Sequence, residues 1–186
     1  MKKFSDIKEE MLMDLLLKRM LYLDGKIDAE KTKAAGIAMA WLNAKSPEKK
    51  ISLYIDSFGG NVTEGLTMYD MFVNSAAPVT GIVCRQASSM ASVVLQGCKE
   101  RLAYNHATIL IHNITRDGDA VLLDQLENKG GFQKLLREMQ SKQEKVYRIY
   151  AKRTGKSISQ IRAVCKRNRL MDVREALKFG LIDKIV

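Results

Sequence analysis

Apolar positions fall into two alternating rhythms along the chain. Ile51-Ser52-Leu53-Tyr54-Ile55 repeats every second residue, and Val79 to Cys84 and Ala107 to His112 are short, largely apolar runs. These read as strands. Between them apolar residues recur every three or four positions. Ala34, Ile37, Ala38, Trp41 and Leu42 predict a helix that Asp28 caps and that runs to Ala44. Thr63 opens a second helix with Leu66, Tyr69 and Phe72 on one face. Phe132, Leu135, Leu136, Met139, Val146, Ile149 and Tyr150 predict a long helix over 132–152. Shorter helices are expected over Met11 to Leu17, Val93 to Gly97, and Glu175 to Phe179, the last stopped by Gly180. Arg19 to Leu23 reads as a strand closed by the turn pair Asp24-Gly25, and Leu181 to Val186 closes the chain. Alternating strands and helices define an α/β protein with crossover connections.

The length of 186 residues suits one domain with a sizeable core. No apolar run approaches the ~18 residues that span a bilayer. Met1 to Glu10 has no apolar signal core, and Lys18 and Arg19 interrupt the Leu15 to Leu17 run. The expected location is cytoplasmic, with no membrane partner. Cys84, Cys98 and Cys165 lack metal-ligand spacing, so no metal is expected, and Cys84 reads as a small core residue. The net charge of +10 is regional, since residues 129–178 hold 15 Lys/Arg against four Asp/Glu. Without a nucleic-acid motif nearby, this excess reads as a solvated helix face, with an acidic partner as the alternative.

Chemistry converges at strand ends, where α/β folds place their sites. Arg85-Gln86-Ala87-Ser88-Ser89-Met90-Ala91-Ser92 is a run of mostly small residues between a strand and a helix. A serine there sits at the positive end of the helix dipole, beside free N–H groups, as an acyl-transfer nucleophile requires. The competing reading is a tight turn that lets backbones pack closely. Gly59-Gly60 follows another strand and leaves N–H groups uncovered, either as half of an oxyanion hole with Met90 N–H or as a turn needing positive φ. His112, one of only two histidines, ends the Ile109-Leu110-Ile111 strand and is placed to take a proton from Ser89. A hydrogen-bonded loop histidine is the alternative. His106 precedes that strand and reads as a structural or surface residue.

Five segments carry a resemblance. Ser57-Phe58-Gly59-Gly60-Asn61-Val62-Thr63-Glu64-Gly65 resembles the glycine-rich segment of the Clp protease proteolytic subunit family. Gln86 to Ala91 is similar to its nucleophile motif and Leu110-Ile111-His112 to its histidine motif. Thr154-Gly155-Lys156-Ser157 and Glu175 to Asp183 resemble its C-terminal signature. The resemblance implies a crotonase-like fold of repeated β-β-α units with a protruding handle helix, in one domain over 1–186. Segment 1–15 corresponds to a shortened N-terminal part whose gating hairpin is expected to be reduced or absent, and about 117–153 to the handle. It implies a serine endopeptidase with Ser89 as nucleophile, His112 as base, and the N–H groups of Gly60 and Met90 as the oxyanion hole. It also implies stacked heptameric rings forming a tetradecamer, peptide or unfolded-protein substrates, and an AAA+ unfoldase that uses the ATP. No cofactor is expected on this chain. Tyr54 and Ile82 match the region where unfoldase loops dock, though both also suit a core.

Several positions depart from the family pattern. Its acid falls on Asn168, which can accept the imidazole N–H but supplies no charge; Asp172 is a candidate substitute. Phe58 stands for the usual proline, Ala91 for glycine, and Asn113-Ile114 for Gln-Pro. The stretch from His112 to Thr154 is longer than usual, with the extra residues expected near 127–131, where Lys129-Gly130-Gly131 would break a helix. The resulting expectation is a slow or conditionally active peptidase, of a phage or accessory type. The alternatives are a weakly active or inactive subunit in a mixed ring with a catalytic paralogue, an acyl-CoA enzyme of the crotonase superfamily, and a Ser–Lys peptidase. The last is disfavoured because Lys99, the nearest lysine to Ser89 in sequence, lies past the far end of its helix.

Overall fold

The computed structural model describes residues 4–115 and 129–186. Residues 116–128, where part of the expected extra length and of the handle falls, lie outside the described residues.

The elements run α1 (Phe4–Leu17), β1 (Met20–Ile27), α2 (Ala29–Lys45), β2 (Ile51–Gly60), α3 (Val62–Val73), β3 (Val79–Ser88), α4 (Met90–Gln96), β4 (Glu100–Ala103) and β5 (Thr108–Ile111). They continue with α5 (Lys129–Thr154), α6 (Ile158–Cys165), β6 (Arg169–Asp172), α7 (Val173–Phe179) and β7 (Lys184–Ile185). Strands β1-β2-β3-β4-β7 form a parallel path. Strand β3 is shared along its length. Thr80–Val83 pair with β4, and Gln86–Ser88 pair with β5. Strand β6 then runs antiparallel to β5.

Helices α2, α3 and α4 pack in sequence along one face of the sheet. On β2, Ile51, Leu53, Ile55 and Ser57 face inward and are buried, while Ser52, Tyr54 and Asp56 between them are only half-buried. Ile27, Ile51, Ile55 and Val83 are fully buried. Each such side chain contributes about 1.5–3 kcal/mol relative to exposure. The capping chemistry matches the sequence. Asp28 accepts from Lys31 N–H at 2.9 Å, and Gly180 ends α7 in the left-handed region at φ 92°.

Several expectations are corrected. Asp24-Gly25 does not close β1; the strand absorbs the turn signal as a register shift at Gly25/Lys26 and continues to Ile27. Strand pairing likewise carries β2 through Gly60 and β3 through Ser88, past the polar residues where alternation stops. Lys129-Gly130-Gly131 lie in the first turn of α5 and do not break it, because a helix start tolerates glycine that its interior resists. Cys84 is half-buried outside the core. Strands β4, β6 and β7 and helix α6 are too short for a period to declare itself.

Helix α5 divides in two. Val146, Tyr147 and Tyr150 are buried, whereas Phe132 and Leu136 are about half exposed. The second half belongs to the core and the first half extends the apolar stripe beyond it. No helix among the described residues is long and apolar enough to cross a membrane.

Candidate active site

Ser89 caps α4 and sits at φ 55°, ψ −126°, a conformation that a non-glycine residue adopts only under constraint. The constraint is visible. Its N–H donates to Leu110 O at 2.9 Å, and its carbonyl accepts from Ser92 N at 3.0 Å. A strained turn of this kind costs about 1–3 kcal/mol. It persists because neighbouring elements define it from both sides.

The glycine pair makes that turn possible. A Cβ on Gly59 would lie 2.7 Å from Ser88 O and from Ser89 Cβ, and 2.9 Å from Met90 N. The backbone of β2 therefore touches the Ser89 turn directly, and both glycines have positive φ. Ser57 fastens this end of β2, donating its hydroxyl to Gly25 O at 2.5 Å and accepting from Gly59 N at 3.1 Å. Met90 is the first residue of α4, so its N–H belongs to the turn that has no partner within the helix. Its side chain is buried against Gly65 of α3, where a Cβ would come within 2.6 Å of it.

A cavity of about 260 Å³ brings Gly60, Ser89 and His112 together, closed by Lys26, Phe58, Val62, Ile114 and Thr115. His112 follows directly on β5, whose Leu110 carbonyl already holds Ser89. The segment after it is tied to α5. Gln143 Oε1 accepts from Ile114 N at 2.7 Å, and Tyr147 OH donates to Asn113 Oδ1 at 2.7 Å. His106 is exposed, away from this cavity.

Asn168 is placed differently. The β5–β6 ladder ends at Ile111 opposite Arg169, so one further step in register sets His112 against Asn168. Asn168 itself is exposed and lines a neighbouring cavity of about 660 Å³ with Lys156, Arg167, Arg169 and Phe179. Among the described residues no hydrogen bond joins His112 to Asn168 or to Ser89 Oγ. Asp172 stands opposite Thr108, four residues back along β5, or about 13 Å from the level of His112. Its carboxylate caps α7 by accepting from Glu175 N at 2.8 Å.

The alternatives to a serine nucleophile weaken. Burial pushes the thiols of Cys98 and Cys165 up to about 12, and burial also raises Cys84, so all three are protonated at neutral pH. No group of three or more His, Cys, Asp or Glu able to hold a metal occurs among the described residues. Lys99 lines a separate cavity with Tyr69, Cys98 and Arg153. Lys26, in contrast, lines the Ser89 cavity. It was invisible in the sequence because it reaches the site only if β1 continues past Asp24-Gly25 and sets it beside Gly59.

The sequence model of the Clp protease family matches residues 5–186. The chain belongs to the Clp protease family. It is therefore a peptidase with the α/β fold of that family's proteolytic subunits, and membership implies protein substrates and, typically, ring oligomers.

Proposed function

We propose that this Clp protease family member is a serine endopeptidase working through an acyl-enzyme at Ser89. The observation that carries the reading is the meeting of Ser89, His112 and Gly60 in one cavity, with Ser89 held at positive φ on a helix start. His112 takes the Ser89 hydroxyl proton as Oγ attacks the scissile carbonyl, and returns it to the leaving amine. The N–H groups of Gly60 and Met90 receive the developing oxyanion. Water then repeats the sequence on the ester, with His112 again as base. Asn168 stands opposite His112 if the β5–β6 register is extended by one residue; its amide can accept the imidazole N–H but supplies no charge, which favours slow turnover. No cofactor takes part on this chain.

The assembly proposed is two stacked heptameric rings, with the exposed Phe132 and Leu136 of α5 contributing to ring–ring contact. An AAA+ unfoldase docks on the sheet face opposite the helices. There Tyr22, Tyr54, Ile82 and Leu102 form one register row across four strands, and the rings of Tyr22 and Tyr54 stack at 6.5 Å. A parallel sheet normally buries both faces, so this apolar row calls for a cover. The second reading is a weakly active subunit in a mixed ring with a catalytic paralogue, favoured by the absence of a His112–Asn168 bond.

Hydrolysis of fluorogenic peptides by the purified protein, with Ser89→Ala as control, tests the proposal. Turnover that falls at least about 10³-fold in the variant is expected. Equal turnover in both proteins would refute Ser89 as nucleophile. Silence from an assembled wild type, restored by adding a triad-complete paralogue, would support the second reading.

A further inference from the structure

A chain of buried polar groups runs beneath the nucleophile turn, from α5 into α4. Ser92 is fully buried in the first turn of α4. Its Oγ lies 2.6 Å from Ser89 O, 3.2 Å from Leu110 O and 2.6 Å from the Tyr150 hydroxyl. Carbonyl oxygens only accept, so the single Ser92 proton is committed to those two groups. The Tyr150 hydroxyl therefore donates to Ser92 Oγ. Tyr150 is itself buried, and among the described residues its hydroxyl has no other partner.

The two carbonyls that Ser92 bridges are the ones that define the turn. Leu110 O also accepts Ser89 N–H at 2.9 Å, and Ser89 O also accepts the N–H groups of Ser92 and Val93 at 3.0 and 3.4 Å. Leu110 lies on β5 two residues before His112, which directly follows that strand. One hydroxyl thus joins the carbonyl of the strained nucleophile to the strand that presents the base.

We propose that Ser92 and Tyr150 are positioning residues for Ser89: Tyr150 orients the Ser92 hydroxyl, which locks the nucleophile turn against β5. The inference rests on Ser89 being the nucleophile, as argued above. Neither residue lines the Ser89 cavity, so neither touches substrate there. The arrangement matters because Ser89 sits where its backbone would otherwise relax, and a small misplacement of a reacting group is costly to rate.

A purely structural hydrogen bond makes a different prediction, and a pair of variants separates the two. Ser92→Ala leaves the Tyr150 hydroxyl buried without a partner and should lower the melting temperature. Ser92→Ala with Tyr150→Phe replaces both partners by apolar groups and should recover much of that loss. If the pair positions Ser89, the double variant still reacts about tenfold more slowly with a fluorophosphonate, and its peptide kcat falls by a similar factor with KM nearly unchanged. All rates are read well below the melting midpoints, so folded protein is compared with folded protein. A double variant with wild-type rates overturns the inference while leaving Ser89 as nucleophile. A wild type that does not react at Ser89 overturns that assignment and the inference with it.

Discussion

Ser89 and Asn168 are both non-glycine residues at positive φ, 55° and 47°, yet their surroundings differ sharply. Ser89 is gripped at its N–H and its carbonyl, with Gly59 in van der Waals contact behind it. Asn168 is exposed at the turn after α6, where its N–H donates to Cys165 O at 3.1 Å. Asparagine visits the left-handed region readily because its short amide bonds locally. Its φ therefore needs only a turn to account for it. Strain points to chemistry where several elements enforce it, beside a cavity, on a residue that resists it, and of this pair only Ser89 meets that condition.

Breaking the enforced side should have the largest effect. Gly59→Ala adds a Cβ that meets Ser88 O and Ser89 Cβ at 2.7 Å, so the turn must shift. Peptidase kcat/KM should fall by about 100-fold, with a lower melting temperature. Gly155→Ala separates backbone strain from displacement, since its φ is +70° but an added Cβ meets nothing within 4 Å. It should cost stability and leave kcat/KM alone. Equal activity losses in the two variants would show that contact with the Ser89 turn is not what matters.

Asn168→Asp acts on the looser side. A carboxylate opposite His112 in the extended β5–β6 register would stabilise the imidazolium, and turnover should rise by about tenfold or more. Steady-state kinetics on one fluorogenic peptide decide it. An unchanged or lower rate would remove Asn168 from the catalytic set and leave a Ser–His pair.

Helix starts, the glycine pair and the strand-end residues were legible in the sequence because each rests on local chemistry. Asp28, Gly180 and Ser89 announce themselves through capping, positive φ and small neighbours. What stayed hidden depended on pairing between distant segments. Lys26 reaches the Ser89 cavity through the β1–β2 register, and Cys84 leaves the core because alternation along β3 turns it outward. The relation of His112 to Asn168 is set by the antiparallel β5–β6 ladder, whose four-residue strands carry almost no periodic signal. Ser92 read as one more small residue, and only the tertiary fold brings Tyr150 to it.

The smallest predicted effect involves residues that line neither cavity and tests the frame that holds both. The C-terminal segment is fastened by Asp183, which accepts from Arg101 Nε at 3.0 Å and from Arg101 N at 2.8 Å, while Arg101 also donates to Gln96 and to Gly180 O. Burial pushes the Asp183 carboxyl up, but the hydrogen bonds and charge of Arg101 outweigh it and hold the group below its usual range. The stability it contributes is then present above pH ~4, the unfolded carboxylate range, and lost as pH falls through the lower folded value. Melting curves from pH 7 to 3 should show Asp183→Asn lower by about 4 °C at pH 7, with the gap closing in acid. A gap that persists unchanged at pH 3 would contradict this linkage.

The most direct test of Ser89 as an activated nucleophile is fluorophosphonate labelling of the intact protein, read by mass, beside Ser89→Ala. One adduct on the wild type and none on the variant is the predicted result. A wild-type protein that light scattering shows to be assembled, and that still takes no adduct, would contradict the account.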